Sequence, residues 1–397
     1  MMTIQNKYII PILLSILFVN IVFISNIKAQ KLSENAEISL LTCNPGEELY
    51  SVFGHNAVRV KDPANKIDWV YNYGTFSFDE PNFYVKFVRG KLNYMLSVNY
   101  FEHFLAAYQR ENRTVREQVL NLNDKQKQDM FRFLENNRLP QNKFYLYDFF
   151  FNNCATIVRD LLEDNLKGDL EFAADYKDTL THRDLLRPYL VEHHWSRFGI
   201  ALILGSVIDH KTTLAETMFL PDYLEKAAAN ATINIDGKKA PFVKHSQVLF
   251  TQTDVNTSFG KLMRPGFIFW TIFIFALILL GVELKNKKIY QAFDFIYFLF
   301  IGIIGLILFL AWFATDHTAV VKNWNLLWAL PTHFFIVFFF FLKNKPTFLK
   351  YYFLVSGAIA ILFLPLWSVI PQVFDYAFIP MILTISLRSF YHYFYYR

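Results

Sequence analysis

The chain has 397 residues, 54% of them hydrophobic and 18% charged, whereas soluble domains carry about a quarter charged residues. That balance points to a membrane protein. Lysine and arginine exceed aspartate and glutamate by 39 − 34 = 5, and part of the excess lies in short loops between apolar runs, so it reads as a topology signal and not as a nucleic-acid footprint.

Residues 1–29 read as a signal peptide: Lys7 precedes an apolar run from Tyr8 to Ser25, and Ala29 offers a small residue for cleavage. A retained anchor is the alternative, and either outcome exports the domain that comes after it. Glu37 to Thr42 reads as a strand, and Glu47 to Phe53 as a short helix after the Asn44-Pro45-Gly46 turn. His55 opens a strand through Val60, and Ile67 to Tyr73 supplies its hairpin partner. Further strands are expected at Leu92–Val98 and Thr114–Leu120. Between and after them, helices are expected at Tyr100–Tyr108 and at Lys125–Asn136, the second with Met130, Phe131, Phe133 and Leu134 buried.

The segment Asn152-Asn153-Cys154 reads as a helix start, with Ile157, Val158, Leu161 and Leu162 as its apolar stripe. A thiol in the first turn sees unpaired amides and the positive end of the helix dipole, both of which favour thiolate. An imidazole on a neighbouring strand can take its proton, so His55 and Cys154 are the candidate nucleophile pair of an α+β domain spanning 30–168. Asn72, on the strand after His55, is the candidate third member. Cys43 and Cys154 form a disulfide in the competing reading, which would remove the thiol.

Residues 169–262 read as a helical extension leading to the membrane. An all-α transmembrane domain over 263–390 comes next, with apolar runs at 266–282, 293–313, 326–342, 351–370 and 373–387. The loops with Lys285, Lys287 and Lys288, and with Lys343, Lys345 and Lys350, are basic and alternate with loops that are not. With the basic loops inside, the N-terminal domain lies outside and Arg397 lies inside, beside Arg388 and His392.

Other polar candidates are weaker. Arg59, Arg110, Arg113 and Arg159 present forks suited to phosphate or carboxylate, although most such residues serve structural ion pairs. His317, in the outer loop between two spans, would face the exported domain and line the entry for a head group. No close metal-ligand pattern occurs and the glycines are scattered singly, so neither a metal, a nucleotide nor another cofactor is expected.

The motifs Thr42-Cys-Asn-Pro-Gly-Glu47, Phe53-Gly-His-Asn-Ala-Val-Arg-Val60, Tyr71-Asn-Tyr-Gly-Thr-Phe76 and Asn152-Asn-Cys-Ala-Thr156 resemble the Lnb-type N-terminal periplasmic domain family. Downstream, Asn323-Trp-Asn-Leu-Leu-Trp-Ala-Leu-Pro331 resembles the membrane region of its longer members. The family is similar in its His-then-Cys order to permuted papain-like enzymes of the NlpC/P60 and lecithin:retinol acyltransferase kind, which implies such a core for the exported domain. It also implies lipoprotein N-acylation of the Bacteroidota type in the inner membrane, with the catalytic domain in the periplasm. On this chain His55 and Cys154 match the catalytic positions and Asn72 the orienter, with Arg59, Asn153, Arg159 and His317 as substrate-binding candidates. The implied donor is a phospholipid and the implied acceptor a diacylated lipoprotein. A thiol hydrolase acting on lipid ester or cell-wall peptide, and a membrane scaffold without chemistry, are the alternatives.

Overall fold

The computed structural model describes residues 31–48, 50–173, 179–253 and 264–395. The expected signal peptide, its cleavage site and Arg397 lie outside the described residues. The exported part begins with β1 (Glu37–Cys43), β2 (His55–Asp62), β3 (Ile67–Thr75), α1 (Phe83–Val88), β4 (Asn93–Tyr100) and α2 (Phe101–Arg110). It continues with β5 (Val115–Leu120), α3 (Asp124–Asn137), β6 (Phe144–Leu146) and α4 (Cys154–Asn165).

These strands, joined by β10 (Val243–Phe250) from the extension, build an antiparallel sheet in the order β10-β5-β1-β2-β3-β4-β6. Alternation along β2 divides its side chains between two cores. Val58 and Val60 join Ile38, Leu40 and Tyr71 against Met130, Phe131 and Leu134 of α3 and Ala155, Val158 and Leu162 of α4. Ala57 faces the other way, toward Leu41, Val70 and Phe104 of α2. Covering both faces makes β2 a central strand and gives its first residue, His55, a fixed exit direction. On α3 the buried residues are Gln126, Met130, Phe131 and Leu134, whereas Phe133 is exposed.

Two local expectations fail. Residues 47–48 and 50–53 bend and turn without forming a helix; Gly54, at φ +82°, then redirects the chain into β2, and a Cβ there would meet the Cys43 carbonyl oxygen at 2.8 Å. The extension is mixed, not helical throughout. It contains β7 (Leu170–Glu171), α5 (His182–Leu186), α6 (His194–Ile203), α7 (Leu214–Thr217), α8 (Pro221–Asn230), β8 (Thr232–Ile235), β9 (Lys238–Pro241) and β10 (Val243–Phe250). Asp236 and Gly237 both adopt positive φ, the signature of a two-residue hairpin turn, and so close β8 onto β9. β10 then pairs with β5 and covers an edge that would otherwise expose unpaired backbone groups.

The membrane part contains α9 (Pro265–Asn286), α10 (Gln291–Ala314), α11 (His333–Ile336), α12 (Thr347–Leu366) and α13 (Phe378–Tyr395). Among the described residues α9, α10 and α12 are long and apolar enough to cross a membrane. The span expected at 326–342 is broken instead. It consists of short helical turns around α11, interrupted at Pro331, which has no amide hydrogen to continue a helix. Its backbone packs directly on α10: a Cβ at Gly302 or Gly305 would come within 2.2 Å of Phe334 N or Ala329 O.

Arg388 and His392 do not flank a cytoplasmic end in water. Both are fully buried within α13. Arg388 donates to Glu283 of α9 at 2.6 and 3.0 Å and to Asp294 of α10 at 2.5 and 2.7 Å, and His392 lies 2.8 Å from Asp294. In an apolar environment each charge is tolerable only because its partners are present, so the cluster ties three helices together. Replacing Arg388 by alanine would leave buried Glu283 without its cationic partner and Asp294 with His392 alone, a loss of about 3–5 kcal/mol. The expected outcome is a large fall in the melting temperature of the detergent-solubilised protein, with Arg388→Lys falling less. Equal melting temperatures for the alanine variant and wild type would show that the cluster does not staple the helices.

Candidate active site

Helix α4 begins where Asn153 caps it. The Asn153 side-chain oxygen accepts from the amides of Ala155 and Thr156 at 2.9 Å, while its amide donates to the carbonyls of Phe149 and Phe219. This fully engaged cap sets Cys154 at the first helical position, over the start of β2 and the bend in β3. His55 Nε2 lies 2.5 Å from Asn72 Oδ1. The oxygen must accept, so Nε2 carries hydrogen and the other ring nitrogen is left free to take the thiol proton. A Cβ at Gly74 would sit 3.7 Å from Cys154 Cβ and 3.9 Å from His55 Cε1. The three residues therefore meet around one bend, where the β3–β4 register shifts between Asn72 and Thr75.

Both titrations point to a charge pair. Burial pushes the Cys154 thiol up, but the positive charge and hydrogen bond of His55, with the backbone amides of Asn56 and Ala155, bring it below its ordinary value. Burial lowers His55, yet the thiolate and the bonds to Cys154 and Asn72 carry it above its ordinary value. The second thiol behaves oppositely. Cys43 is paired with His55 across β1 and β2, and burial pushes it up to about 12. Both cysteines are free, so no disulfide removes Cys154.

The pair opens into a cavity of about 620 Å³, within the range of small-molecule sites. Aromatic and aliphatic side chains dominate its wall, and Tyr108 stacks on His55 with 6.5 Å between ring centroids. The membrane part completes the wall with residues 317–320. His317 Nε2 is 3.1 Å from the Phe87 carbonyl, the Thr318 hydroxyl donates to Asp148 at 2.5 Å, and the Asp316 amide donates to the Arg89 carbonyl at 3.0 Å. Asn323 and Asn325 donate to the carbonyls of Leu202 and neighbours at the end of α6. A second groove of about 800 Å³, on the flank of α9, α12 and α13, is lined by neither cysteine.

Of the candidates named from sequence, His55, Asn72, Asn153, Cys154 and His317 line the cavity, whereas Arg59 and Arg159 do not. Arg59 is saturated by Asp68 and Glu117 and stacks 3.3 Å over Phe101. Arg159 donates to Asp160 and to the Ala215 carbonyl. Asn153 has no free side-chain atom for a substrate, and its amide is taken by Thr156 Oγ1. Arg113, one of the four arginines named from sequence, lines the cavity as well, and so do Tyr108, Asp148 and Thr318, which were not named. Nothing local in the sequence distinguishes them, because long-range packing brings them together. Among the described residues no group of three His, Cys, Asp or Glu side chains is arranged to hold a metal.

The opposed thiol shifts give a direct test. With Cys154 lowered and His55 raised, the thiolate persists to lower pH than that of an ordinary thiol and is lost as pH falls through the lowered Cys154 value. At about pH 7 iodoacetamide should alkylate Cys154 at least ~10-fold faster than Cys43, as read by peptide mass spectrometry. In His55→Ala the burial remains without its compensation, so the midpoint for Cys154 should move upward. Equal labelling of the two thiols would contradict the charge pair.

Comparison with family models supplies two matches. The Lnb N-terminal periplasmic domain matches residues 25–188, and the Lnb transmembrane domain matches residues 255–397. No curated protein and no solved structure matches the chain. The two models succeed one another in the order of the α+β and helical parts of the fold, and between them they take in most of the chain. The chain thus joins a periplasmic-type α+β domain to a multi-pass membrane domain, and it belongs to the Lnb family.

Proposed function

We propose that this chain is an acyltransferase that moves a fatty acyl group from a phospholipid to the N-terminal amine of a diacylglyceryl-cysteine lipoprotein. The observation that carries the reading is a helix-start thiol beside an imidazole held by Asn72, inside a largely apolar cavity whose wall is shared with the membrane domain. Family membership is consistent with lipoprotein-related acyl transfer. A permuted papain-like core is supported by the order of His55, Asn72 and Cys154 and by the helix-borne thiol packed on the histidine strand.

In the first half-reaction the Cys154 thiolate attacks an ester carbonyl of the phospholipid. The carbon–oxygen bond breaks, the acyl group becomes a thioester, and the departing lysophospholipid oxygen takes the His55 proton. In the second, the lipoprotein amine attacks the thioester, neutral His55 receives an amine proton, and the thiolate is regenerated. Asn72 holds the imidazole orientation in both. The backbone amide of Asn56, beside the sulfur, is the candidate donor to the oxyanion. An apolar wall favours transfer over hydrolysis because it limits the access of water to the thioester. The protein would act in the inner membrane with its catalytic domain in the periplasm and its C-terminus in the cytoplasm.

Intact mass spectrometry after incubation with phospholipid liposomes tests the first step. Wild type should gain one fatty-acyl mass, lost in Cys154→Ala and reduced by ~100-fold or more in rate in His55→Ala. Adding a diacylated lipopeptide should discharge the adduct and yield an N-acylated product. Discharge to free fatty acid, at a rate independent of the lipopeptide, would replace transfer by hydrolysis. A free Cys154 that never gains an acyl mass would overturn the reading.

A further inference from the structure

Arg113 lines the same cavity and is 5% exposed. Its Nε donates to the Asn44 carbonyl at 2.8 Å, its Nη1 to Glu111 at 2.8 Å, and its guanidinium lies 4.7 Å over the Tyr108 ring. Nη2 is buried and has no hydrogen-bond partner. A guanidinium held on three sides with its remaining donors unspent is organised for a ligand, because an unmatched buried donor is otherwise a standing penalty.

The surroundings narrow the ligand to an anion. Arg113 is the one lysine or arginine in the described lining of the cavity. Its carboxylate partner Glu111 has a half-exposed side chain, so water screens much of that compensation. The neighbouring Cys43 stays neutral, pushed up to about 12 by burial. The other carboxylate in the wall, Asp148, is already bonded to the amides of Phe150 and Phe151 and to Thr318. Tyr108 stacks on His55 at 6.5 Å and under Arg113 at 4.7 Å, so the charge stands beside the base of the reactive pair.

We infer that Arg113 is the anion-holding residue of the cavity and binds the phosphodiester of a glycerophospholipid through Nη2. The inference rests on the acyl-donor reading and adds to it the part of the donor that is recognised. A phosphodiester has one negative charge, acceptor oxygens suited to the paired donors of Nη2, and ester carbonyls only a few bonds away along its glycerol. Holding it would align one ester with Cys154 while the acyl chains occupy the apolar wall.

The test uses the full-length protein in detergent, with two readouts. In the first, glycerophosphoethanolamine, inorganic phosphate and acetate are compared for slowing iodoacetamide alkylation of Cys154. The expected result is protection by the phosphodiester, with a half-protecting concentration raised about tenfold or more in Arg113→Gln and less in Arg113→Lys. In the second, acyl loading of Cys154 is compared between phosphatidylethanolamine and a diacylglycerol of the same chains. Wild type should prefer the phospholipid, and the preference should collapse about tenfold in Arg113→Gln. Melting temperature and gel filtration establish that the variants are folded, and the lysine variant stands in if glutamine is not tolerated. Arg113-dependent protection without acyl loading from either lipid would sink acyl transfer and keep the anion site. Loading with an unchanged preference, no protection in wild type, or better protection by acetate or free phosphate than by the phosphodiester would overturn the inference.

Discussion

The arrangement depends on the capping of one helix by Asn153. Its oxygen closes the first turn of α4, and its amide nitrogen reaches two carbonyls, one just before the helix and one from the extension after α7. A cap of this kind contributes about 1 kcal/mol to a helix, but here position matters more than energy. The thiol is placed at the positive end of a helix that is itself packed on β2 and β3, so Cys154, His55 and Asn72 inherit the rigidity of the sheet. Their mutual geometry is a property of the core, which is why a short reactive motif has such a large scaffold.

The second constraint is that the cavity belongs to neither part of the chain alone. The loop after α10 supplies His317 to Val320 as a wall, and it is tied through the His317 ring to the Phe87 carbonyl of α1 and through the Asp316 amide to the Arg89 carbonyl just after it. Asparagines further along the same segment satisfy carbonyls at the end of α6, which would otherwise be unpaired where two apolar surfaces meet. The membrane domain therefore borders the cavity of His55 and Cys154 directly.

Charge is handled differently at the two ends of the membrane part. At the basic-loop end, Arg388 is matched by Glu283 and Asp294, and such a balanced cluster is a staple. Beside the cavity, Arg113 has one half-exposed carboxylate and an unspent donor. The same side chain serves structure when its fork is filled and recognition when it is not. Arg59, filled by Asp68 and Glu117, is the internal comparison.

Much of this is legible in the chain itself, wherever the determining forces are local. Alternation marks β2 and β3, an asparagine before an apolar stripe marks α4, and long apolar runs mark α9, α10 and α12, because backbone periodicity and capping act over a few residues. The failures share the opposite cause. The run at 326–342 has the composition of a span, yet Pro331 and close backbone contact with Gly302 and Gly305 break it. The tail of the exported part looks helical until an Asp-Gly hairpin and the open edge of β5 claim it for strands. By itself the sequence determined an exported α+β unit joined to apolar helices, with a histidine at a strand start and a cysteine at a helix start. Only tertiary structure decided that Arg113 and not Arg59 lines the cavity, that Arg388 is buried, and that the 317–320 loop closes the cavity. Those outcomes turn on which distant groups satisfy one another's hydrogen bonds and charges, and no local pattern encodes them.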